Sequence, residues 1–79
     1  MADIIITPDA WTAVAEGAGS ATFEALDRDA RWFVGAETPA TSGFTAPPNR
    51  AVSLALQEGE TLYLRGRGTV VVLADNVPA

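Results

Sequence analysis

The feature that most constrains this chain is alternation at a period of two, interrupted by glycine-, proline- or acid-rich turns. It is clearest between Arg50 and Ala74. Val52, Leu54 and Leu56 fall on one side of an extended segment, and Ala51, Ser53 and Ala55 on the other. That is the pattern of a half-buried strand. Gln57-Glu58-Gly59-Glu60 makes a polar turn, and the glycine in it accepts a positive φ without steric cost. Leu62 and Leu64 then alternate with Thr61, Tyr63 and Arg65, and Gly66-Arg67-Gly68 turns the chain again. The run Thr69 to Leu73 is rich in β-branched residues with no polar residue after Thr69, which predicts a strand covered on both faces. These three segments read as a meander of antiparallel strands.

The same rhythm holds upstream. Ile4-Ile5-Ile6-Thr7 predicts a first strand or arm over residues 1–8, stopped by Pro8 and Asp9. Trp11 to Glu16 admits two assignments. Thr7-Pro8-Asp9 resembles a helix start and Gly17 a helix stop, which would put Trp11, Val14 and Ala15 on one face. A strand puts Trp11, Ala13 and Ala15 opposite Thr12 and Val14, and it is favoured because so short a helix is marginal. After Gly17-Ala18-Gly19-Ser20, Ala21, Phe23 and Ala25 alternate with Thr22, Glu24 and Leu26. Asp27-Arg28 forms a tip, and Ala30, Trp32, Val34 and Ala36 alternate with Arg31, Phe33 and Gly35. Phe23 and Trp32 are expected to pair across neighbouring strands. Residues 37–49 carry three prolines and Gly43 and read as a loop whose one large apolar residue is Phe44. Residues 75–79 are expected to fray. Turns at such spacing predict a single all-β domain over 1–79, a small antiparallel β-sandwich or barrel, jelly-roll-like, of about six to eight short strands.

Composition narrows the chemistry. The chain has no Cys, His or Lys. Ser-His-Asp and Cys-His catalysis, a Schiff-base lysine and a P-loop are therefore excluded. Asp27 and Asp29 around Arg28, or Glu58 and Glu60 around Gly59, are poor provision for calcium, which takes six to eight oxygens; they read as solvated turn tips. No metal or other cofactor is expected, and no enzymatic activity. Ten acids against five arginines give a net charge of −5. That disfavours nucleic acid as a partner, since phosphate binding needs a basic face. Three isoleucines are too few for a membrane span, and the chain is expected to be made in the cytoplasm.

A 79-residue chain buries only about 60–65% of its unfolded surface. Chains of this size are commonly reinforced by disulfides, a metal or a partner subunit. Without Cys or His, self-association is the remaining route. The residues expected to meet another subunit or partner are Ile4, Ile6, Phe33, Phe44, Tyr63, Arg65 and Arg67. The arginines suit bidentate pairing with carboxylates across an interface, and exposed aromatics mark contact surfaces.

Two short elements carry a wider likeness: Trp11-Thr12-Ala13-Val14-Ala15, and Gly59-Glu60-Thr61-Leu62-Tyr63-Leu64-Arg65. With the strand pair Ala21–Leu26 and Ala30–Ala36 and the Pro/Thr/Gly loop between, the whole chain resembles small structural proteins of tailed bacteriophages. The resemblance implies a β-sandwich or barrel, often a homotrimer, housed in the virion. It implies a capsid cement or decoration protein that bridges major capsid subunits and clamps the shell against internal DNA pressure. A fibre, spike or tail component with a receptor- or glycan-binding role is the alternative, with Phe33, Phe44 and Tyr63 as its platform. A cytoplasmic inhibitor that mimics DNA through its acids ranks third, because those acids are scattered along the sequence. The resemblance assigns no binding residue by position.

Overall fold

A computed structural model describes residues 2–26, 28–38, 40 and 43–76. Among them are eight strands: β1 (Ala2–Ile6), β2 (Thr12–Glu16), β3 (Gly19–Ala25), β4 (Ala30–Gly35), β5 (Phe44–Ala46), β6 (Ala51–Leu56), β7 (Thr61–Gly66) and β8 (Gly68–Ala74). They form two four-stranded antiparallel sheets, ordered β1-β8-β3-β6 and β2-β7-β4-β5. The strands therefore pair β1 with β8, β2 with β7, β3 with β6 and β4 with β5, as in one long hairpin bent at the β4–β5 link. Rolling that hairpin up adds the β3–β8 and β4–β7 ladders. The result is the strand order of a jelly roll.

The rolled topology corrects the expected meander. β6, β7 and β8 each have the predicted alternation, but consecutive members lie in opposite sheets. The turn after β6 forms as its residues suggest: Glu60 N donates to Gln57 O at 3.1 Å, Gln57 N to a Glu60 carboxylate oxygen at 2.6 Å, and Gly59 has φ 85°. It carries the chain from one sheet to the other instead of closing a hairpin. Phe23 and Trp32 are likewise in different sheets, so their contact crosses the core rather than running along one sheet.

The inward face of each strand supplies the core. Ala21, Phe23 and Ala25 of β3, Val70 and Val72 of β8, Leu62 and Leu64 of β7, Ala30 of β4, Ala46 of β5 and Leu56 of β6 are buried. Several inward positions are alanine, which lets two sheets of short strands close over a thin interior. β2 is a strand, as favoured, but its register shifts between Ala13 and Ala15. The bulge turns both Val14 and Ala15 inward, each fully buried, where strict alternation would have split them.

Three further expectations are revised. Part of the 37–49 loop is the edge strand β5, which pairs Phe44 with Trp32 and Ala46 with Ala30 before Pro47 ends it. β8 is covered on one face only: Val70 and Val72 are buried, while Leu73 is 59% exposed. Asp75 and Asn76 are anchored rather than frayed. Ser20 N donates to an Asp75 carboxylate oxygen at 3.1 Å, Glu16 N to Asn76 O at 2.8 Å, and Asn76 Nδ2 to Gly17 O at 2.7 Å. Residues 77–79 of the expected frayed end, and Asp27 of the β3–β4 tip, lie outside the described residues.

Candidate interaction surfaces

The sandwich offers two outward faces of different texture. On the β2-β7-β4-β5 sheet, the residues opposite the buried leucines of β7 come together. Phe33 is the register partner of Tyr63, and Arg31 of Arg65. Phe33 and Tyr63 are half-buried, as expected of aromatics lying flat on a sheet. Phe44, on the edge strand, is 57% exposed. Its ring lies parallel to that of Phe33, 7° between planes with centroids 6.3 Å apart, and tilts against Trp32 at 5.0 Å. Arg65 Nε donates to Pro8 O at 2.6 Å, and its guanidinium sits 5.8 Å from the centre of the Trp11 ring. A guanidinium over an indole face is held by the ring quadrupole. This face thus gathers Phe33, Tyr63 and Arg65, and Phe44, whose register partner Trp32 is on the core side, reaches its edge beside Phe33; all four were singled out in the sequence. Arg67 is exposed in the β7–β8 turn.

Ile4 and Ile6, expected at a contact surface, are on the inward side of β1. Ile6 is in the core and Ile4 packs, partly buried, against it. Three consecutive isoleucines carry no period, so nothing in that run alone says which faces inward. Pairing with β8 decides it: Ile4 and Ile6 share the inward side with Val70 and Val72, and Ile5 points out, 78% exposed.

Ile5 belongs to the second face, on the β1-β8-β3-β6 sheet. There it lies diagonal to Val71, which precedes Leu73 on the same side of β8. Thr22 and Glu24 of β3 and Ala51 of β6 continue the rows, and with Val71 and Leu73 they line a groove of about 320 Å³. Beside it, the Thr22 and Ser53 hydroxyls bond between β3 and β6 at 2.9 Å. The sequence signal for this face was the unbroken apolar run of β8, taken for burial on both sides when its outward side has Val71 half-buried and Leu73 exposed.

Set against known proteins, the chain matches no family profile, and no similar curated protein or solved structure is found.

Proposed function

We propose that this chain is a non-enzymatic structural protein of a tailed-phage virion, a capsid cement that bridges neighbouring shell subunits. The observation that carries the proposal is the pair of unlike faces on opposite sides of one sandwich. One is aliphatic, built on Ile5, Val71 and Leu73; the other is aromatic and cationic, built on Phe33, Phe44, Tyr63 and Arg65. A bridge needs two docking faces, and a thin sandwich sets them back to back. The aliphatic strip is suited to burial against a second copy, in a homotrimer that adds apolar area at roughly 25 cal/mol per Å². The aromatic–arginine face is suited to the major capsid protein, since aromatics and arginine are the residues enriched at interfaces. Many copies bound side by side strengthen weak single contacts through effective concentration. The resemblance to phage structural proteins supports the virion setting. The jelly-roll order agrees with it, because that architecture recurs in viral capsid domains, although it also recurs in lectins.

The test is the particle itself. Purified virions should contain the chain on the shell, and particles lacking it should rupture sooner on heating or at low salt. Equal stability with and without the chain would overturn the cement role.

A second reading has one observation in its favour. The stacked Phe33–Phe44 pair next to Tyr63 offers flat rings of the kind on which sugars stack. A fibre or spike role would show as saturable binding on a glycan array, lost in both Tyr63→Ala and Phe44→Ala.

A further inference from the structure

Arg31 of β4 and Arg65 of β7 stand directly opposite one another on adjacent strands. Like charges so placed repel, and neither guanidinium has a carboxylate within 4.0 Å among the described residues. Arg65 is fixed in orientation by Pro8 O and by the Trp11 ring, through contacts that leave its terminal nitrogens uncommitted. Pro8 and Gly66 complete the walls of a cleft of about 300 Å³ between the two arginines. A guanidinium already held in plane matches the two oxygens of a carboxylate.

We propose that the Arg31–Arg65 cleft binds a carboxylate, and that the acidic end of a second copy of the chain supplies it. The second half rests on how the rolled hairpin sorts charge. Links from odd to even strands all emerge at one end of the sandwich, and links from even to odd strands at the other. Arg28, Arg50 and Arg67 lie in links of the first kind, and Arg31 and Arg65 sit one residue inside the strand ends beside them. Every arginine of the chain is therefore at that end, accompanied among the described residues by Asp9, Asp29 and, one residue inside the end of β3, Glu24. Glu16, Glu37, Glu58, Glu60 and Asp75 lie in or beside the opposite links, with no arginine among them. The arginines, scattered in sequence, are gathered at one end, and the opposite end carries acids without arginine. Stacking end to end sets Glu58, exposed at the tip of its turn, against the cleft of the next molecule. Such a contact is heterologous and repeats along a line or closes into a ring. It stands apart from the virion reading and does not depend on it.

The experiment follows the arginine Nε–H and tryptophan indole N–H signals of the full-length ¹⁵N-labelled chain. Glutarate, which carries the carboxylate of a glutamate side chain, is the first probe, and the chain's own concentration is the second. Glutarate should shift the Arg65 and Trp11 signals saturably. Arg31→Gln should weaken that binding about tenfold or more, the loss of one charged fork, while Arg31→Lys weakens it less. No shift, or a shift unchanged in Arg31→Gln, overturns the cleft. Concentrating the chain should move the same signals, with reversal by about 0.5 M salt and by Glu58→Gln. Signals that respond to glutarate but not to concentration overturn the second copy as donor, and leave an acidic segment of a different protein in its place.

Discussion

Phe23 of β3 and Trp32 of β4 meet edge to face across the two sheets, ring centroids 6.4 Å apart and planes at 62°. They follow one another in the sequence as parts of consecutive strands, yet they belong to opposite layers. Their contact is therefore a rivet through the interior.

That rivet predicts coupled losses. Phe23 is fully buried, so Phe23→Ala should cost about 3–5 kcal/mol in urea titration. This is a large share of the roughly 5–15 kcal/mol available to an ordinary domain. In a double-mutant cycle with Trp32→Leu, about 0.5–1.5 kcal/mol should appear as interaction between the two rings. Strictly additive losses would mean that the rings touch without stabilising each other.

Glycines at positive φ separate space from backbone. Gly43 (φ 70°) stands where a Cβ would lie 2.6 Å from Trp32 O and 2.9 Å from the tip of the Trp11 ring. Gly59 (φ 85°) faces open solvent. Gly59→Ala should cost about 1–2 kcal/mol, the strain of the left-handed region alone. Gly43→Ala should cost clearly more, because β5 must shift away from β4 to relieve the clash. Equal thermal shifts for the two variants would show that β5 yields freely.

Asn76 ties the end of β8 to the β2–β3 turn. Asn76→Ala removes the bond to Gly17 O and should cost about 1–2 kcal/mol. Amide exchange at Glu16, which donates to Asn76 O, should speed up. Asp75→Asn keeps an oxygen for Ser20 N and should be close to neutral. If Asn76→Ala leaves exchange at Glu16 unchanged, the tie does not hold the turn.

Leu73 separates folding from docking. At 59% exposure it contributes little to the core, so Leu73→Asp should change the unfolding free energy in urea titration by no more than about 0.5 kcal/mol. The same charge in the aliphatic strip should weaken self-association through that strip and co-sedimentation with particles, and leave end-to-end contact through Arg31 and Arg65 unaffected. Undiminished association in Leu73→Asp would remove this face from the proposed interface.

The strands were legible because alternation records which side of a strand is wet, and Ala21, Phe23 and Ala25 or Leu62 and Leu64 record it without ambiguity. Pairing was not legible. Val70 to Leu73 has the same composition whether its neighbours are β1 and β3 or β7, and a short turn such as Gly66–Gly68 serves a hairpin or a crossing between sheets equally well. The bulge at Val14 hid for a related reason: one extra residue reverses a strand's faces without changing its residue types. On the surface, Tyr63, Phe33 and Arg65 stood out as residues opposite an apolar side. Arg31 did not, since only the β4–β7 register sets it beside Arg65. Ile5 and Leu73 were hidden inside runs that look like core throughout.

The place of β8 between β1 and β3 has a consequence for biosynthesis. The first sheet lacks one of its two middle strands until Ala74 has been translated, and β1 has no partner before β8 exists. A chain that stops before β7 has neither sheet complete, and one that stops between β7 and β8 lacks the first. Such non-local pairing is slow to form, so the domain should fold in a single cooperative event once β8 is available, with no stable half-product along the way.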